Sequence, residues 1–344
     1  MIDDVPPEVA AAQLVLQCST GYIVSSALQA VVKLKIADEL ANGPRTAADL
    51  AQATGVQEDT LYRVLRALAS VGVFEEKEPR TFALTMAAHV LRADTPGSVR
   101  DLVLWLTDPF HFRVYAEMLH SVQTGRPAVD KVYALPVFEH FAREPGLSAV
   151  FNDAMTTFSA VVIPAVLKSY DFSGIDVLVD IAGGHGEILI SILRAYPQMR
   201  GVLFDQNHVV AGAVPRIDAA GLSDRCRIAP GDFFEGVPRG GDAYIMKHII
   251  HAWDDERALV ILRNIRTALE GKPHGRLILL ESVIQPGNQP DLGKLIDLEM
   301  LMMPGGRERT ADEFRALLAR AGFDLTTIVP NGSPLSVIEA RAQK

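Results

Sequence analysis

Val177-Leu178-Val179-Asp180-Ile181-Ala182-Gly183-Gly184-His185-Gly186 is the stretch on which the fold turns. Residues 177–181 form an apolar run interrupted only by Asp180, which suits a strand buried on both faces. The glycines that follow let backbone amides approach a ligand closely. A helix is predicted directly afterwards, at roughly 187–196, and a helix start favours polar or anionic groups. Strand, glycine turn and helix in that order describe the first unit of a nucleotide-type α/β sheet.

Outward from this turn the pattern repeats. Strands are predicted at 201–205, 226–229, 243–246 and 276–280, with a helix at 254–270 between the last two. A helix at 310–321 precedes two further strands, about 324–329 and 335–340, and Asn331-Gly332 between them signals a hairpin. The result is an α/β Rossmann-like domain over 171–344: a mostly parallel seven-stranded sheet, helices on both faces, and an antiparallel C-terminal hairpin.

Before it, the texture is helical. Ala27, Val31, Leu34, Ala37, Leu40 and Ala41 recur at helical spacing, and Thr46 with Asp49 resembles a capping arrangement. A second helix is predicted from about 57 to 71, followed by a short hairpin through Phe74 and Phe82. Helix, turn, helix and hairpin make a mainly α winged-helix domain over 1–96. Its 57–71 helix carries Glu58 and Asp59 beside Arg63 and Arg66, and its wing is acidic, which favours a dimerising use over DNA binding. The apolar segment 20–41 is the candidate dimer surface. Residues 97–170 read as a helical linker rich in aromatic residues and Met, part core and part wall of an apolar ligand pocket.

Composition narrows the function. With 344 residues, 49% apolar, the chain can bury full cores. A formal charge of −9 opposes broad contact with nucleic acid. The two cysteines, Cys18 and Cys226, are too few for a disulfide framework and read as buried small apolar residues. The acidic, proline-broken start Met1–Pro7 is unlike a signal peptide, and no uninterrupted apolar run approaches a membrane span. A soluble, cytoplasmic protein without a membrane partner is expected.

The residues at the carboxyl ends of the strands carry the chemistry. Asp205 closes the second strand, where an acid accepts hydrogen bonds from a ribose diol, and Gly231-Asp232-Phe233 offers a carboxylate and an aromatic face for an adenine. No second glycine fingerprint appears, so a single nucleoside is favoured over a dinucleotide. His248 and His251 lie three apart in Met246–Trp253, but no ligand pattern in sequence completes a metal site around them. His251 is the better candidate for a base, and Glu281, ending an adjacent strand, is the carboxylate expected to hold its imidazole in one tautomer.

Taken together, Leu178–Gly186, Phe204-Asp205, Gly231-Asp232-Phe233, Met246–Trp253 and Pro304–Thr310 resemble the plant caffeic-acid-type O-methyltransferases and their bacterial natural-product relatives. The resemblance implies a class I methyltransferase domain using S-adenosyl-L-methionine, with S-adenosyl-L-homocysteine as product and no metal. It implies that Asp180, Gly183, Gly184, Gly186, Asp205, Gln206, Gly231, Asp232, Phe233, Lys247 and Trp253 form the cofactor site. His251 would be the catalytic base, with Glu281 and Glu308 orienting it. Met155, Phe158, Ser159, Met300 and Met303 would line the pocket for a small hydroxylated aromatic substrate. The family dimerises through its N-terminal helices, so a homodimer is implied. Two positions depart from the family pattern: Ala182 replaces the first loop glycine, and Ala252 replaces the usual Asp after the catalytic His.

Overall fold

The computed structural model describes residues 6–343; residues 1–5, on which the reading of the N-terminal start partly rests, and residue 344 lie outside the described residues. The chain divides into two compact units, one up to Phe112 and one from Arg113.

In the first unit, a long helix α1 (Pro7–Lys33) leads through strand β1 (Arg45–Thr46) to α2 (Ala47–Thr54) and α3 (Glu58–Ser70). Thr46 and Asp49 close a reciprocal capping box that satisfies two orphan amides at the start of α2. Strands β2 (Phe74–Glu78) and β3 (Thr81–Leu84) form the wing, and β1 pairs with β3 to give the order β1-β3-β2. Val31, Ile36, Leu40, Leu50, Leu61, Leu65, Leu68, Phe74 and Phe82 make one core. The winged-helix pattern is therefore present. On the wing, Arg80 bonds Glu58 at 2.8 Å and lies over the Tyr62 ring, so that cation is engaged within the unit.

Helix α1 extends the apolar surface further towards the N-terminus than residue 20. Leu14, Val15, Leu16, Tyr22 and Ile23 are exposed along it. Cys18 is exposed on the same helix, against the expectation of burial, whereas Cys226 is buried. No helix among the described residues is an uninterrupted apolar run, but two have the length and mean hydropathy of a membrane span. Both α1 and a later helix, α4 (Pro145–Ser169), are long and apolar enough to cross a bilayer by length and composition. Gln, Ser and Thr residues interrupt the first of these apolar runs, and Ser, Thr, Asn and Asp residues interrupt the second.

The second unit is built on seven strands: β4 (Val177–Ile181), β5 (Arg200–Asp205), β6 (Cys226–Pro230), β7 (Ala243–Lys247), β8 (Arg276–Glu281), β9 (Phe323–Pro330) and β10 (Ser336–Ala342). Their order is β6-β5-β4-β7-β8-β10-β9, parallel as far as β8, with β10 antiparallel to both its neighbours. The chain runs outward from β4 to β6 on one side and from β7 to β8 on the other. The carboxyl ends of β4, β5 and β7 therefore flank the point where the winding direction reverses, which is where open α/β sheets bind ligands.

Alternate side chains feed two cores. Leu178, Leu203, Ile245, Ile278 and Val337 face α4 and α5 (Glu187–Ala195). Val179, Val202, Tyr244, Leu277 and Ile338 face α6 (Asp255–Ala268) and α8 (Ala311–Arg320). Each fully buried Val, Leu or Ile contributes about 1.5–3 kcal/mol, so the two layers hold the strand ends rigidly. Between β8 and α8 lies α7 (Leu292–Met302), which brings in the Met300–Glu308 region.

Candidate active site

The glycine turn is held from below. Gly183 donates its amide to the Phe204 carbonyl at 3.3 Å, and Gly184 donates to Asp205 Oδ2 at 2.9 Å. Gln206 donates its backbone amide to Asp205 Oδ1 at 2.7 Å. A Cβ on Gly183 would meet Leu203 at 2.4 Å and the Asp180 carboxylate at 2.5 Å, and one on Gly231 would meet the Phe204 ring at 2.5 Å. These positions need glycine for want of space. Gly184 and Gly186 need it for conformation, at φ +59° and +81°. Ala182 sits in the same left-handed region at φ +55°, a conformation that costs a residue with a Cβ about 1–2 kcal/mol.

Two ionisable groups beneath the turn are short of partners. Asp180 is almost fully buried and its Oδ2 has no hydrogen-bond partner among the described residues. Burial, reinforced by the Asp205 charge and opposed by Lys247, pushes its carboxyl up to about 7. Burial pulls Lys247 down to about 8, against the charges of Glu281 and Asp180. Its ammonium lies 5.3 Å from the centre of the Phe158 ring and makes no ion pair among the described residues. A polar ligand seated at the turn would satisfy both.

On the other side of the turn is an aromatic group. Phe233 follows β6, and Trp253 lies 6.1 Å from it and 4.9 Å from Phe234. Arg257 covers the Trp253 ring at 4.4 Å. Asp232 is exposed and caps its own turn by accepting from the Phe234 amide at 2.8 Å.

His251 is buried on a short 3-10 turn after β7. Its Nδ1 lies 2.6 Å from Glu308 Oε1 and 3.9 Å from Glu281 Oε2. Glu308 is thus the direct partner, not Glu281, whose expected role as tautomer holder is corrected. Glu281 instead accepts the amides of Ile249 and Ile250 through Oε1, at 3.0 and 2.9 Å, and so anchors the turn that carries the imidazole. Burial opposes protonation of His251, but the charges of Glu281 and Glu308 outweigh it and hold its pKa above the ordinary histidine value. Burial likewise raises Glu281, to about 7.

Several residues that sequence reasoning passed over build this arrangement. Asp297 on α7 accepts the Glu308 amide at 2.7 Å. Arg309, fully buried, donates to the carbonyls of Ile250 and Trp253 and pairs with Asp255 at 2.8 Å. Gly306 lies so close to the 251–253 backbone that a Cβ there would sit 2.0 Å from the His251 oxygen. The unbroken run Gly305–Thr310 was the available signal, because its small and charged residues have no periodic pattern to serve as a helix or strand face.

His248 was set aside in sequence, yet it completes a stack. Its ring lies 4.3 Å from that of His251 and 5.0 Å from that of Phe158, nearly parallel to both. Its backbone is left-handed at φ +54°. Donor atoms of His248, His251 and Glu308 lie within 4.8 Å of one another, although no ligand spacing in the sequence joins them. Glu308 is distant in sequence and enters through the loop after α7.

Met155 and Phe158 are half-buried, and Met300 and Met303 are buried. Ser159 is buried and uses its hydroxyl on the Met155 carbonyl at 2.8 Å.

A glycine turn at the switch point of a seven-stranded sheet with an antiparallel hairpin, beside a carboxylate-bound histidine, defines a class I methyltransferase. Residues 115–324 match the O-methyltransferase domain and residues 16–94 match the O-methyltransferase dimerisation domain, so the chain belongs to the O-methyltransferase family. It is 43% identical to a phenazine O-methyltransferase of Lysobacter antibioticus, over 95% of each chain. It is 37% identical to the 8-amino-8-demethylriboflavin N,N-dimethyltransferase of Streptomyces davaonensis, over 97% of this chain and 96% of the other. A neocarzinostatin-biosynthesis O-methyltransferase, crystallised with S-adenosylmethionine and 2-hydroxy-5-methyl naphthoic acid, superimposes with a TM-score of 0.78. Its identity is 31%, covering 92% of this chain and 95% of that one.

Proposed function

We propose that this chain transfers a methyl group from S-adenosylmethionine to a hydroxyl of a small aromatic or polyketide-like metabolite, with His251 as general base and without a metal ion. The 2.6 Å contact between His251 and Glu308 is the observation that carries this reading.

The residues present fit the cofactor. Gly183 and Gly231 leave cradles that a Cβ would fill, Asp180 holds a buried oxygen without a hydrogen-bond partner among the described residues, and Lys247 supplies a cation with no ion pair among them. In this reading Asp180, Gly183, Gly184, Gly186 and Lys247 receive the amino-acid part, Asp205 and Gln206 the ribose, and Gly231, Asp232, Phe233 and Trp253 the adenine. When bound, S-adenosylmethionine supplies an electrophilic methyl group.

The chain's own residues orient the acceptor and move its proton. With Nδ1–H donated to Glu308, His251 keeps a lone pair on Nε2 to accept the proton of the acceptor hydroxyl. General-base assistance of this kind contributes about 100- to 10,000-fold. Glu308 stabilises the imidazolium, and Glu281 keeps the turn in place. Met155, Phe158, Ser159, Met300 and Met303 form an adaptable apolar wall for the acceptor ring. Residues 171–344 hold the cofactor, 97–170 contribute to the pocket and 1–96 serve to form a homodimer. An amino acceptor is the second reading, favoured by the similarity to an N,N-dimethyltransferase.

Calorimetric titration with S-adenosylmethionine and S-adenosylhomocysteine, repeated on Asp205→Ala, tests the foundation. Micromolar binding that weakens about 10- to 100-fold in the variant supports it, the loss expected for hydrogen bonds to a charged group. Absence of binding to either ligand overturns it.

A further inference from the structure

We infer that His248, His251 and Glu308 form a coordination site for a divalent transition ion of the Zn²⁺ class, whose occupation switches the base off. The inhibitory consequence rests on the reading of His251 as the base; the binding itself does not.

Three buried atoms around His251 lack hydrogen-bond partners among the described residues: His248 Nε2, Glu308 Oε2 and Glu281 Oε2. A buried polar atom without a partner is costly, and an ion is one of the few groups that satisfies several at once. Two imidazoles and a carboxylate are the donor set that borderline ions such as Zn²⁺ prefer, whereas Mg²⁺ and Ca²⁺ prefer all-oxygen sets.

The donor atoms of the three residues lie within 4.8 Å of one another. Tetrahedral coordination with bonds of about 2.0–2.1 Å places donors roughly 3.3 Å apart. The rings are now stacked with centroids 4.3 Å apart, so coordination turns one imidazole out of the stack to share a vertex with the other. Glu308 already reaches Nδ1 of His251 at 2.6 Å and needs little movement. Glu281 Oε2, 3.9 Å from the same nitrogen, is at hand as a fourth donor. Lys247 beside them carries positive charge and keeps the affinity below that of a structural zinc site.

An imidazole bound to a metal through one nitrogen carries its proton on the other. His251 in that state has no lone pair for an acceptor hydroxyl, and methyl transfer stops. The ion and the acceptor's proton therefore compete for the same residue.

The test uses the full-length protein and ZnCl₂ in a non-chelating buffer, without cofactor or acceptor. Calorimetry is expected to show one site per chain with a micromolar Kd. CoCl₂ in place of ZnCl₂ is expected to give the visible absorption of a nitrogen- and oxygen-ligated tetrahedral ion. Separately, His248→Phe, which retains an aromatic ring for the stack, and Glu308→Gln should each weaken Zn²⁺ binding by at least about 10-fold while remaining folded by circular dichroism. ZnCl₂ should inhibit methyl transfer reversibly, with activity restored by a chelator. No binding at 1 mM ZnCl₂, or equal affinity in wild type and in whichever variants fold, overturns the site, with 1 mM set at about a thousandfold above a micromolar Kd. Zn²⁺ bound at this site without loss of methyl transfer overturns the switch. Neither outcome touches cofactor binding, which is measured independently.

Discussion

Glu308 Oε1 lies 2.6 Å from His251 Nδ1, and the two residues are brought together from opposite ends of a 57-residue separation. Burial alone would drive the imidazole neutral and weakly basic; this carboxylate, with Glu281, holds its pKa above the ordinary histidine value instead.

A pH dependence follows from that balance. On the proposed mechanism His251 acts only when neutral, and its pKa is raised, so turnover should fall as pH drops through a midpoint above the ordinary histidine value of about 6.5. In Glu308→Gln the carbonyl can still accept the Nδ1 proton but the charge is gone. Its midpoint should move to lower pH, and turnover at pH 8 should fall about 10-fold, the worth of a lost charge-assisted bond. A pH–rate profile of both proteins checks this; an unmoved acid limb would show that another group titrates there.

Ala182 adopts φ +55°, where glycine is unstrained. Ala182→Gly removes roughly 1–2 kcal/mol of strain but adds about 0.5–1 kcal/mol of unfolded-chain entropy. The net expectation is a protein more stable by about 0.5–1 kcal/mol with cofactor affinity unchanged or better. Urea denaturation measures it, and a loss of stability would mean that the alanine methyl has packing value exceeding the strain.

Gly306→Ala places a Cβ 2.0 Å from the His251 carbonyl oxygen and 2.4 Å from the Ala252 carbonyl carbon. Backbone on both sides cannot yield cheaply, so destabilisation of about 1–3 kcal/mol is expected. The displaced turn carries His251, so turnover should fall more than cofactor affinity. Thermal melting and parallel kinetics separate the two effects; a variant with wild-type turnover would contradict the close approach.

Leu16 and Ile23 are exposed one heptad apart on α1 within the matched dimerisation domain. The pair Leu16→Asp and Ile23→Asp should convert a dimer into folded monomer, because each buried leucine or isoleucine contributes about 1.5–3 kcal/mol. Sedimentation velocity would show the shift. An unchanged dimer would place the interface on another face.

The order of elements was legible in the chain, because local periodicity and glycine punctuation act over a few residues. The strand Val177–Ile181, the turn through Gly186 and the C-terminal hairpin each carry their own pattern. So did Asp205, since its position at a strand end follows from that pattern. The partner of His251 was not legible from strand adjacency. Strand adjacency points to Glu281, which sits on the neighbouring strand but bonds the turn backbone; Glu308 follows only from the family resemblance. Likewise, nothing local marked His248 as the middle ring of a stack, or Gly306 as the point where two loops touch. Periodicity encodes which face of an element is buried, whereas the pairing of ionisable groups depends on loops closed across the sheet edge. The chain alone therefore determined the scaffold and its strand-end residues; only the tertiary packing decided which carboxylate holds the His251 imidazole.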